Sequence, residues 1–129
     1  MIKHNYITLG AIGAALAVIM GAFGAHGLKS IVAPELLSVF KTGVTYHMWH
    51  ALGLCLIGAL QLRYPAAKLL VWSGRMMYCG ILLFSGSLYL LVLLNLKWLG
   101  MITPIGGLAF IAGWLLLAIF SKKFLIEET

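Results

Sequence analysis

Four long apolar runs dominate this chain, and no aspartate or glutamate interrupts any of them. They cover Tyr6 to Ala25, about Tyr46 to Leu62, about Met76 to Leu96, and Ile102 to Phe120. Each is close to the ~20 residues with which a helix crosses about 30 Å of hydrocarbon. A bilayer offers no water to backbone N–H and C=O groups, so each run is expected to be a helix that satisfies its own backbone. The fold class that follows is all-α: a four-helix transmembrane bundle, one integral membrane domain over residues 1–129. Composition agrees, since 63% of the residues are hydrophobic and 9% charged, against about 25% charged in soluble domains.

The formal net charge is +6, but only three acids exist, Glu35, Glu127 and Glu128. The excess reflects missing carboxylates. The cations are mostly single residues at the ends of apolar runs, not the clustered face that nucleic acid requires. Cys55 and Cys79 sit inside apolar runs without a CxxC, so neither a redox motif nor a stapled secreted fold is indicated. Proton-coupled pumps use intramembrane carboxylates as relays, and none is present here. A phosphate loop, a Ser-His-Asp set and paired acids are also missing, so an enzyme is not indicated.

The breaks between runs set the connections. Ala33-Pro34-Glu35 starts a short segment before the second run, Pro65 separates the second from the third, and Thr103-Pro104 reads as an N-cap with proline at the first helical position. Between Pro34 and Gly43, Leu36, Leu37, Val39 and Phe40 alternate with Glu35, Ser38, Lys41 and Thr42. That pattern predicts a short amphipathic segment on the outer surface. The first run also carries the layout of a signal peptide, with Lys3 ahead of it and Ala22-Phe23-Gly24 as a cleavage site; it is read here as a retained helix. With both termini inside, Lys3, Arg63, Lys68, Arg75, Lys122 and Lys123 share the inner side, and Lys29, Lys41 and Lys97 the outer. That asymmetry predicts N-in, C-in. Arg75 is expected to snorkel to the headgroups.

Gly13, Ala17, Gly21 and Ala25 recur every four residues on the first helix. Small stripes let membrane helices approach closely. This one is read either as packing within the bundle or as the surface for a homo-oligomer or a membrane-complex partner.

In this topology every helix brings polar groups to one outer layer: His26 at the end of the first, Tyr46, His47 and His50 at the start of the second, Ser85, Ser87 and Tyr89 in the third, and Thr103 at the start of the fourth. Three readings follow. The groups satisfy one another and the helix ends. Alternatively His26, Tyr46, His50, Ser85, Ser87, Tyr89 and Thr103 line a pocket for a small polar or amphipathic ligand, such as a lipid headgroup or a quinone. Or His26, His47, His50 and Glu35 hold a metal or haem.

The stretches "GAFGAHGL" at 21–28, "FKTGVTYHMWHALGL" at 40–54, "GILLFSGSLYLL" at 80–91 and "ITPIGGLAFIAGW" at 102–114 resemble the bacterial inner-membrane family called domain of unknown function 423. A small eukaryotic transmembrane protein is distantly similar. The resemblance implies a four-helix protein of the bacterial cytoplasmic membrane and adds no reaction. Matching positions include Gly24, His26, Thr42, Gly43, Tyr46, His50, Ser85, Gly86, Ser87, Tyr89, Thr103, Pro104 and Gly107. The function is thus open between a binding protein with an outer-leaflet pocket and a structural or accessory subunit of a larger membrane complex.

Overall fold

The computed structural model describes residues 5–126. Lys3, Glu127 and Glu128, used in the charge count, lie outside them, as does Thr129. Among the described residues the chain is all-α. Helix α1 (Tyr6–Phe23) is started by Asn5, whose side chain accepts the N–H of Thr8 at 3.1 Å, and its end widens into a π turn over Gly24–Leu28. Helix α2 runs over Pro34–Arg63, with Pro34 and Glu35 in its first turn. Helix α3 covers Lys68–Leu93, with a π turn at Ile81–Ser85. Helix α4 (Thr103–Ser121) follows a 3-10 turn at Lys97–Met101 and ends in a π turn at Lys122–Ile126. By length and composition, the stretches Tyr6–Leu28, Lys68–Leu93 and Lys97–Ile126 can each cross a membrane.

Several expected boundaries move. The amphipathic segment is helical, but it runs unbroken into the second apolar run, so α2 is 30 residues long, roughly 45 Å. Its apolar face packs on protein: Phe40 is fully buried with Leu28 and Val92, and Leu36, Leu37 and Val39 pack against them. Helix α3 starts at Lys68, before the apolar run. Its polar residues are accommodated, since Ser73 donates to the carbonyl of Gly113 at 2.7 Å and the exposed Arg75 lies over the ring of Trp72. It ends when Asn95 turns left-handed at φ 53°, a conformation asparagine tolerates better than most side chains. Thr103 is the first residue of α4, not its cap; Ile102 before it is already helical, and the Thr103 hydroxyl turns elsewhere.

Helices pair in chain order, α1 on α2, α2 on α3 and α3 on α4. The closest approaches are made by glycines. A Cβ on Gly10 would lie 2.5 Å from the Ala51 carbonyl oxygen of α2, and one on Gly106 would strike the backbone of Phe84. The small stripe of α1 is consumed within the chain: Gly13 faces Ala51, Gly21 faces Val44, and Ala17 is fully buried. Ala25 is exposed. The contact line actually runs Gly10, Gly13, Ala17, Gly21, Gly24, Leu28, mixing steps of three and four about the helical period of ~3.6. A strict spacing of four drifts off that line, which is why Ala25 leaves it. Those four residues therefore offer no continuous outer surface for an oligomer.

The core divides towards the two ends. One cluster joins Tyr6, Leu54, Ile57, Leu70, Met77 and Phe120. The other joins Leu28, Phe40 and Val92. Exposed Ile12, Leu16, Val18 and Ile19 on α1, and Ile105, Leu108, Leu115 and Ile119 on α4, give the molecule a broad apolar exterior suited to lipid.

Candidate functional site

Between the two clusters, α2 and α4 are bridged by side chains. His50 is the pivot. It is 4% exposed, its Nδ1 lies 2.6 Å from the Tyr46 carbonyl, and its Nε2 receives the indole N–H of Trp114 at 3.0 Å. A carbonyl only accepts and an indole only donates. The ring is therefore the neutral tautomer with hydrogen on Nδ1, and both nitrogens are engaged. Its face stacks on Phe110 at 3.4 Å between centroids. Tyr46 leans on Phe84 at 4.7 Å and on Trp49 at 5.7 Å.

These rings enclose a lateral groove of about 650 Å³. Tyr46, Trp49 and His50 wall it from α2, Phe84 from α3, and Phe110 and Trp114 from α4, with Gly107 also lining it. Sequence spacing explains the alignment. Tyr46, Trp49 and His50 stand at i, i+3 and i+4, and Gly107, Phe110 and Trp114 at i, i+3 and i+7, so each set shares one face. Pockets of 300–1,000 Å³ lined by rings with a few polar atoms are the usual form of small-ligand sites.

Tyr46 and His50 are thus the two sequence-predicted residues that line the groove. The others are placed elsewhere. Ser85 is fully buried and donates to the Gly43 carbonyl at 2.7 Å, tying α3 to α2. Tyr89 bonds His47 through 2.9 Å between its hydroxyl and Nδ1. Ser87 meets Thr103 at 2.6 Å and donates to the Phe84 carbonyl at 2.9 Å. His26 is exposed in the π turn that ends α1, and the bonds of His50 and Ser85 run to other partners. That arrangement corrects the reading in which His26 and Ser85 line one pocket with His50. The π turn carries His26 outward while Gly24 takes the inward position against Phe40.

Every buried side-chain N or O atom among the described residues has a hydrogen-bond partner. The polar layer is therefore largely spent on joining helices, the first of the three readings. Nor do His26, His47, His50 and Glu35 converge: among the described residues no group of three His, Cys, Asp or Glu is placed to hold a metal ion. The other lining residues were not singled out as a site by the sequence: Gly107 stood only among the positions matching the resemblance, and Trp49, Phe84, Phe110 and Trp114 carry their signal as aromatics within apolar spans.

An all-α chain with this apolar exterior and an aromatic groove opening sideways is a helical membrane protein. The chain belongs to the family described as Protein of unknown function (DUF423), whose model matches residues 20–107. It is 47% identical over 120 residues to the UPF0382 membrane protein YwdK of Bacillus subtilis, covering 93% of this chain and 98% of that one. It is 47% identical over 119 residues to the UPF0382 membrane protein SAB0533 of Staphylococcus aureus, with 92% and 96% covered. The UPF0382 membrane protein SH2409 of Staphylococcus haemolyticus is 45% identical with the same coverage. No solved structure matches the chain.

Proposed function

We propose that this protein is a four-span, N-in and C-in protein of the bacterial cytoplasmic membrane that binds an amphipathic, ring-bearing lipid such as a quinone in the aromatic groove. The groove itself carries the reading. Its rings suit a flat conjugated head, and its sideways opening suits a ligand delivered from the bilayer. The exposed Tyr46 and Trp49 bring a hydroxyl and an indole N–H to its wall, where a ligand carbonyl can accept. The neutral His50 and its bond to Trp114 hold the wall in shape. The cation asymmetry supports the orientation, and relatives named as membrane proteins support the location.

Two of the four tryptophans, Trp49 and Trp114, line the groove, which supplies the assay. A short-chain quinone titrated into the protein in nanodiscs should quench their fluorescence saturably. Gly107→Leu should remove the saturable part, because a Cβ there meets only Phe84, at 3.8 Å, and the longer side chain fills the groove. Linear quenching, equal in both proteins, means that the quinone only partitions into lipid and refutes the reading.

The second reading is an accessory subunit of a membrane complex. The complete pairing of buried polar atoms favours it, since such a subunit needs a rigid helical body and no pocket.

A further inference from the structure

Five of the eight lysine and arginine side chains among the described residues gather at one end. Arg63 ends α2, Lys68 opens α3, Arg75 lies about two turns further on, and Lys122 and Lys123 follow α4. Glu35 is the one carboxylate among the described residues, and it stands in the first turn of α2. About 28 residues of helix separate it from Arg63, roughly 42 Å, so it neutralises none of these cations.

Arg75 is held in place. Its guanidinium carbon sits 4.9 Å from the Trp72 ring centre, and its side chain hydrogen-bonds the Tyr6 hydroxyl, which itself donates to the Val71 carbonyl at 2.9 Å. A guanidinium positioned on two sides loses less freedom on binding than a free one. Lys68, Trp72 and Arg75 stand at i, i+4 and i+7 of one helix and are all exposed. The seven-residue step is roughly 10 Å of helix, within which the two long side chains can converge at headgroup level.

We propose that Lys68, Trp72 and Arg75 form a headgroup site for an anionic phospholipid. The phosphate lies between the Lys68 ammonium and the Arg75 guanidinium, whose planar fork matches phosphate oxygens. An acyl chain runs along the Trp72 indole. A zwitterionic lipid brings its own cation to this end and is disfavoured. This site is separate from the aromatic groove and stands whether or not the groove binds a ligand.

The test uses the full chain in nanodiscs of phosphatidylcholine doped with a minor share of phosphatidylglycerol. Native mass spectrometry counts the lipids retained. Phosphatidylglycerol should be enriched over its share of the disc. Lys68→Gln and Arg75→Gln should each lower that enrichment about fivefold, the worth of one basic residue near an anionic surface. Arg75→Lys should keep more of it than Arg75→Gln, and Lys29→Gln, on the loop after α1, should leave it unchanged. Lys68 is exposed, so its variant reports even where Arg75→Gln fails to fold. A melting shift should follow phosphatidylglycerol and not inorganic phosphate added to pure phosphatidylcholine discs. The proposal is overturned by any of three results: no enrichment in the parent protein, enrichment that survives Lys68→Gln, or an equal shift from inorganic phosphate.

Discussion

Removing the indole N–H from the groove, as in Trp114→Phe, tests the hydrogen bond that shapes it. Phenylalanine keeps a ring beside His50 but has no donor. His50 Nε2, in a residue only 4% exposed, is then left without its 3.0 Å partner. A buried acceptor left unpaired costs about 1–3 kcal/mol. Bonds between membrane helices average about 0.6 kcal/mol and reach about 1.7, because the unfolded chain in the membrane also finds partners. Trp114 is 41% exposed, so the lost ring area adds little, and the expected destabilisation is about 1–2 kcal/mol. A cycle with His50→Phe separates the bond from its surroundings. That change keeps a ring on Phe110, and its loss of the Tyr46 bond cancels in the cycle. Equilibrium unfolding by sodium dodecyl sulfate in a mild detergent gives all four stabilities. The coupling should fall at about 0.6–1.7 kcal/mol. A coupling under about 0.3 kcal/mol, within ordinary additivity, refutes the bond and with it the fixed tautomer of His50.

Other consequences follow from packing. Gly106→Ala should cost about 2 kcal/mol or more, because the new Cβ meets the Phe84 backbone, which cannot give way; Gly107→Ala in the same unfolding assay should be near neutral. Ser85→Ala should cost about 1 kcal/mol by loss of the bond to Gly43, without changing quinone quenching. Asn95→Val forces a β-branched residue to φ 53° and should destabilise the fold by about 1–2 kcal/mol in the same unfolding assay. A reporter fused after Thr129 should be active only in the cytoplasm; a periplasmic signal contradicts the N-in, C-in orientation.

The helices were legible where hydrophobicity alone decides. The run from Tyr6 and the run into Phe120 match α1 and α4 closely, because both are apolar on nearly every face. Helix α2 was legible only in halves. Ser38, Lys41 and Thr42 point outward while Leu36, Val39 and Phe40 pack inward, so one long helix read as a surface segment followed by a span. Lys68, Ser73 and Arg75 hid the start of α3 in the same way; Lys68 is exposed, and Ser73 and Arg75 are answered by Gly113 and Tyr6 from other parts of the fold. The π turns left no trace in the pattern. Yet the first turns His26 outward and puts Gly24 against Phe40, and the second ends at Ser85, which is aimed at Gly43. The polar layer was legible at the right residues, and bonding among them was one of its three readings, but which partner each residue takes was not, because pairing across helices depends on rotation about each axis. The groove depends on α3 holding α2 and α4 apart, a relation that spacing along one helix does not contain.

The central claim is that the aromatic groove holds an amphipathic ligand taken from the membrane. Native mass spectrometry of the full chain, released gently from its own membranes, tests this most directly when run beside Gly107→Leu. The account predicts a bound species of one defined mass on the parent protein, with a ring-bearing head and an apolar tail, that is missing from the variant. A parent protein carrying only the bulk phospholipids, in the same proportions as Gly107→Leu, contradicts it.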